Sequence, residues 1–173
     1  MADTASKLYW GPLLWRLFHN LAELSDRRDI PFLWPKLLQL TAALMPCEAC
    51  RTHLTATLRA RPFLRMGRAD QINGPAVQTQ VRGELWRLHN EVNARLGKPL
   101  FGISVADVVA VYGVNAEMER TRATLLSEIG DILEKLRQAW TPLLYSQIDA
   151  GVYSAWRGHL ALMVALVSAG GTA

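Results

Sequence analysis

HNEVNARLGKP, residues 89–99, is the stretch on which the fold turns. Upstream of it, residues from about Val77 to Leu96 carry helical periodicity. Gly97 suits the left-handed residue that ends a helix, and Pro99 prevents its continuation. His89, Asn90 and Asn93 fall on one face of that helix, with Trp86 and Leu96 flanking them. Polar groups turned toward an apolar core and left unpaired cost about 1–3 kcal/mol each. The stripe therefore faces water or meets a partner with hydrogen-bonding edges.

Working outward, MPCEACRTH at 45–53 holds the only two cysteines, Cys47 and Cys50. Proline fits the first turn of a helix, so a helix is expected from about Pro46-Cys47 to Arg59. A sulfur at a helix start meets unpaired backbone N–H groups, which favour the thiolate. A second cysteine so near can close a disulfide in thiol exchange. The loop between them is too small for the pair to serve mainly as a structural staple. The same spacing also suits half a zinc site, with Cys47, Cys50 and His53 as ligands and His19 or His89 as the fourth.

Helical signals dominate the rest. Trp10, Leu14, Leu17, Leu21 and Leu24 predict a helix over about Lys7 to Leu24. Leu33, Leu37, Leu40 and Leu44 predict a second from Pro31 to Leu44. Residues 62–75, rich in Gly, Pro and Arg, read as a loop. Ser104 caps a short helix reaching Tyr112. Leu125, Leu126, Ile129, Ile132, Leu133, Leu136 and Trp140 form a stripe with charges on the opposite face. Thr141-Pro142 breaks it, and a last helix is expected from Tyr153 to Val167, before a tail at Gly170-Gly171. The expected fold is all-α: a four-helix bundle with a short fifth helix over residues 1–114, then a helical hairpin extension over 115–173. Extra core or dimer burial is the expected role of that hairpin, with docking of another protein as the alternative.

A chain of 173 residues, half of them hydrophobic and 20% charged, suits one domain plus an appendage. The net charge of +4 comes mostly from arginine, and Arg59, Arg61, Arg65 and Arg68 cluster between two helices. That cluster reads as a solvated loop or as a docking patch for an acidic partner or a phosphate. No nucleic-acid recognition motif accompanies it. The apolar run Leu160 to Val167 is short of the roughly 20 residues that span a bilayer, so no membrane span is expected. The first residues, MADTASK, lack the apolar core of a signal peptide, and Ala2 stands where myristoylation needs glycine. The expected compartment is the cytoplasm.

Trp15 and His19, one turn apart on the first helix, add a second platform of ring and imidazole. Gly11-x-x-x-Trp15-x-x-x-His19, Pro46-Cys47-x-x-Cys50-x-x-His53 and His89-Asn90-x-Val92-Asn93-x-x-Leu96-Gly97-Lys98-Pro99-x-Phe101 together resemble the Erv/ALR family of FAD-dependent sulfhydryl oxidases. The likeness covers about two-thirds of the chain, and the asparagine-bearing motif is its most specific part. The resemblance implies a helical bundle that binds FAD and a homodimer. It implies that Cys50 lies beside the flavin and Cys47 exchanges with substrate. It implies an FAD site lined by Gly11, Trp15, His19, His53, His89, Asn90, Asn93, Lys98 and Phe101, with no metal.

The sequence departs from the family in four places. Met45 stands where many members have an aromatic. The usual tryptophan after the Phe101 region is missing, with Tyr112 as a stand-in. No second cysteine pair is present, so a substrate protein or a separate dithiol carrier must reach Cys47 directly. The extension is additional, and in these last two respects the chain is similar to members encoded by large DNA viruses, so a virus factory or a virion joins the cytoplasm among the expected compartments. The implied function is disulfide formation in substrate proteins, with electrons passing through Cys47 and Cys50 and FAD to oxygen to give hydrogen peroxide. The rival readings are a zinc-stabilised or catalytically silent helical interaction module.

Overall fold

The computed structural model describes residues 6–63, 74–114 and 120–169. Arg65, Arg68, most of the expected 62–75 loop and the Gly170-Gly171 tail lie outside the described residues. The described residues form seven α-helices and no strand. They are α1 (Lys7–Glu23), α2 (Trp34–Leu44), α3 (Glu48–Ala60), α4 (Gly74–Arg95), α5 (Val105–Tyr112), α6 (Arg122–Trp140) and α7 (Ala150–Ser168). The all-α reading holds, and short 3-10 turns at Ile30–Phe32 and Thr141–Leu143 lead into α2 and out of α6.

Helix ends follow local chemistry. Ser6 Oγ accepts the Leu8 N–H at 3.2 Å and starts α1. Thr121 and Thr124 cap α6 reciprocally. Asp149 Oδ1 accepts the Val152 N–H at 2.8 Å, so α7 starts at Ala150 rather than at the expected Tyr153. Cys47 is itself the N-cap of α3, and its sulfur accepts the Cys50 N–H at 3.2 Å. At the end of α4, Gly97 has φ +64°. Its N–H reaches the Ala94 carbonyl and the Lys98 N–H reaches that of Asn93, a paired closure that needs a left-handed residue.

The core is one continuous cluster. Trp10, Leu14, Leu17, Leu21 and Leu24 of the α1 stripe are all buried, as are Leu37 and Leu44 of α2, while Leu33 and Leu40 are partly covered. Each fully buried large side chain contributes about 1.5–3 kcal/mol. Helix α1 packs between α4 and α6, and α2 packs between α3 and α7. The extension is thus less a hairpin closed on itself than two helices laid on separate partners. Leu125, Ile129, Ile132, Leu136 and Trp140 of α6 join the same core, with Trp140 edge-on to Trp10 at 6.2 Å.

Helix α7 is long and apolar enough, by length and composition, to cross a membrane. The Leu160–Val167 run is therefore part of a longer apolar helix than the sequence reading allowed. One face of it, Tyr153, Trp156, Leu160, Met163 and Val167, is buried. Trp156 Nε1 donates to Thr41 Oγ1 at 2.9 Å, and His159 Nε2 meets the Leu33 carbonyl at 2.8 Å, both on the α2 side. Arg122 closes the far end by donating to Asp26 Oδ2 at 2.8 Å and to the Val167 carbonyl at 3.0 Å.

Two polar ties fix the helices around α1. The buried Glu23 carboxylate takes a forked pair from Arg82 of α4, with Nε to Oε1 at 2.8 Å and Nη2 to Oε2. On the other side, the fully buried Asn20 donates to Glu128 Oε2 at 3.0 Å and accepts from Arg120 Nη2 at 2.9 Å. These ties set the registers of α4 and α6 on α1.

Candidate redox site

Cys47 and Cys50 are joined as a disulfide with their Cα atoms 5.1 Å apart, at the first turn of α3. Both sulfurs are partly covered by the core. Arg51 Nη1 donates to the Met45 carbonyl at 2.8 Å, which holds the chain entering the helix. With about 100° of rotation per residue, Cys50 lies about 60° around α3 from His53, while Cys47 lies about 40° from Arg51. The bonded sulfurs therefore share one edge of α3, with His53 to one side of them and Arg51 to the other.

Each side has a cleft. On the α4 side, an open cleft of about 600 Å³ is lined by Glu48, Ala49, His53 and Arg95, with Thr52 and Ala56 on its rim. His53 is held below its ordinary pKa, first by partial burial and then by the Arg95 charge, with Glu91 opposing. The α2 side has a second cleft of about 410 Å³, which shares Thr52 and Ala56 as its rim.

The aromatic part of the site lies between α1, α4 and the segment after α4. Trp15 stacks on His89 with centroids 4.0 Å apart and planes 6° apart. Phe101 stacks on the same imidazole, at 4.4 Å. His19 Nε2 meets His89 Nδ1 at 3.1 Å, and Tyr112 stacks on His19 at 4.8 Å. Both histidines are buried. Burial pushes the His19 pKa down to about 4. Burial, reinforced by His19 and Lys98, pushes that of His89 to about 3. Both rings are therefore neutral at pH 7, one donating and one accepting in their shared bond.

Asn90 and Asn93 have a different task from a face turned to open space. Asn90 Oδ1 accepts the Phe101 N–H at 2.6 Å, and Asn93 Nδ2 donates to the Pro99 carbonyl at 3.1 Å. They hold the 96–101 turn onto α4, which brings Phe101 over His89. Lys98 lies on that turn, exposed. A Cβ at Gly11 would meet nothing within 4 Å, so this face of α1 is open one turn before Trp15.

The set weighed for zinc does not assemble. The two sulfurs are bonded to each other, His19 and His89 bond to each other, and no metal-holding cluster occurs among the described residues. What does assemble is a group of flat aromatic faces beside neutral imidazoles, near two cations, Arg95 and Lys98. These residue types suit a planar heterocycle with hydrogen-bonding edges and an anionic tail, while in this structure the rings are packed on one another and the two imidazoles are bonded together.

The family model described as Erv1 / Alr matches residues 12–111, more than half of the chain. The chain belongs to the Erv1 / Alr family. Two relatives encoded by large DNA viruses carry the name "Putative FAD-linked sulfhydryl oxidase". Protein 088R of Frog virus 3 (isolate Goorha) is 26% identical over 115 residues, 63% of this chain and 69% of the relative. Protein 096R of Invertebrate iridescent virus 3 is 29% identical over 120 residues, 66% of this chain and 73% of the relative. No solved structure matches. The Erv1 / Alr match ends at the last turn of α5, so α6 and α7 lie outside it.

The geometry adds residues that sequence patterning passed over. Arg95 joins the cleft because it follows Glu91 by one helical turn on the face turned to α3. Arg120 donates from Nε to the Tyr112 carbonyl at 3.0 Å, and its guanidinium carbon sits 5.8 Å from the Tyr112 ring centroid. No spacing in the sequence announces that contact, which joins the extension to α5. The only hint is a polar Asn20 beside His19 within an otherwise apolar helix face.

Proposed function

We propose that this chain is an FAD-linked sulfhydryl oxidase that forms disulfide bonds in substrate proteins and delivers the electrons to oxygen, giving hydrogen peroxide. The observation that carries the reading is the Cys47–Cys50 disulfide at the N-terminus of α3, flanked by a cleft that runs to the C-terminal end of α4. Family membership supplies the cofactor. Residues 1–114 are assigned to FAD and dithiol chemistry, and 115–173 to bracing α1 and α2.

A substrate thiolate attacks Cys47 Sγ. The Cys47–Cys50 bond breaks, and Cys50 leaves as a thiolate. The second substrate thiol, deprotonated, attacks the substrate sulfur of the mixed disulfide and releases Cys47. The substrate thus gains one S–S bond and gives up two protons and two electrons, and the electrons now reside on the reduced pair. The free backbone N–H groups of α3 stabilise negative charge on the Cys47 sulfur throughout. Bound FAD supplies the electron sink that returns the pair to its disulfide and reduces oxygen to hydrogen peroxide.

The protein's own work is orientation. Trp15, His19, His89 and Phe101 offer the stacking faces and neutral imidazole edges for the ring system. Arg95 and Lys98 offer positive charge for its phosphates. Asn90 and Asn93 hold the turn that carries Phe101 and Lys98. Gly11 leaves the approach over α1 open, and His53 lines the cleft beside Cys50. Only one cysteine pair is present, so a substrate protein or a separate dithiol carrier meets Cys47 without an internal relay. The assembly is a homodimer, which light scattering on the purified protein measures.

Oxygen uptake with a small dithiol tests the reading. The wild-type protein consumes oxygen and forms peroxide, and Cys50→Ala abolishes turnover. Full turnover in Cys50→Ala contradicts it.

A further inference from the structure

Arg51 and Arg59 play no part in the redox steps, yet both line the second cleft flanking α3. Ala42, Ala43, Thr52, Thr55 and Ala56 line it with them. No carboxylate lines this cleft. Among the described residues neither arginine pairs with an acid. One bond from Arg51 holds the Met45 carbonyl. The remaining donors of both guanidiniums have no acceptor from the described chain.

The position matters as much as the charge. The α4-side cleft takes in His53 and the arginine cleft takes in Arg51, the two residues that flank the bonded cysteine pair on α3. The arginine cleft begins at Arg51, whose backbone N–H donates to the Cys47 carbonyl at 2.9 Å, so its near end lies one helical turn from the cysteine pair. The shared ridge of Thr52 and Ala56 keeps the two apart.

We propose that the α2–α3 groove docks an acidic segment of the substrate protein and so presents its thiols to Cys47. The thiol part rests on the sulfhydryl-oxidase reading. The docking part rests on charge and place alone. Exposed charges of this kind act mainly on encounter and partner choice, and their effect fades as salt rises.

The test is fluorescence anisotropy with labelled peptides that carry serine in place of cysteine, so that no turnover is needed. One peptide has acidic flanks, one has basic flanks, and an oligonucleotide of equal charge is the third probe. The acidic peptide is expected to bind best and to weaken with added salt. Arg59→Glu changes an exposed side chain in the last turn of α3, and Ala43→Glu adds a carboxylate from the exposed flank of α2. Each is expected to weaken the acidic peptide by roughly tenfold and to favour the basic one. Equal binding of both peptides, no change in either variant, or equally tight binding of the oligonucleotide overturns the proposal. Failure of the oxidase reading looks different: acidic docking persists while a small dithiol is not oxidised.

Discussion

His19 and His89, one on α1 and the other on α4, join their imidazoles through a 3.1 Å hydrogen bond inside the protein. That bond uses one ring N–H and one bare ring nitrogen, so it is lost once both rings are protonated.

This pair makes stability depend on pH. In the unfolded chain each histidine titrates near 6.5, whereas burial holds the folded values near 4 and 3. Between those limits the unfolded chain binds protons that the folded chain refuses. The stability contributed by neutral burial is thus complete above pH 6.5 and is lost as pH falls toward 4. The slope is about 1.4 kcal/mol per pH unit for each histidine. Urea unfolding from pH 7 to pH 5 should show it, and His89→Phe, which keeps a stacking ring, should roughly halve it. An equal slope in that variant would remove His89 from the account.

Arg120 links the extension to the ring cluster. Arg120→Ala takes partners from the buried Asn20 and from Glu128, and frees the Tyr112 carbonyl. A loss of about 1–3 kcal/mol is expected in denaturant melts. Because Tyr112 stacks on His19, faster FAD release is expected as well. Lower stability with unchanged FAD release would confine Arg120 to bracing.

Gly97 ends α4 in a left-handed conformation. Gly97→Ala meets no steric neighbour within 4 Å, so its cost is conformational, about 1–2 kcal/mol. A thermal melt measures it. No change in stability would show that the turn carrying Lys98 relaxes freely.

Thr41 receives the Trp156 indole N–H and passes its own proton to the Leu37 carbonyl. Thr41→Val leaves a buried donor unpaired at similar volume, for a cost of about 1–3 kcal/mol. If the α7–α2 contact is as described, the double variant with Trp156→Phe loses less than the sum of the singles.

Helices were legible where one apolar stripe faced one partner. The α1 residues Trp10 to Leu24 and the α6 stripe were read directly from their spacing, and Gly97 with Pro99 marked the end of α4. The start of α7 was missed because Asp149 caps it before the apolar residues begin. Within the site, rings and cysteines were legible as types in a pattern. Their pairing was not, because the His19–His89 bond and the Trp15–His89–Phe101 stack join distant segments. Asn90 and Asn93 were legible as a polar stripe that faces either water or a hydrogen-bonding partner. That their partner is the backbone of Pro99 and Phe101 depends on the turn's path, which spacing does not encode. The extension's partners were hidden for the same reason: a stripe states that a helix is buried, not against which neighbour.

The central claim is that Cys50 connects the dithiol pair to bound FAD. The direct measurement is the visible absorbance of the purified protein during anaerobic titration with a dithiol. The wild-type protein should be yellow and should bleach with one dithiol per FAD, while Cys50→Ala should keep its colour and resist bleaching. A colourless protein that takes up no added FAD, or equal bleaching in Cys50→Ala, would contradict the account.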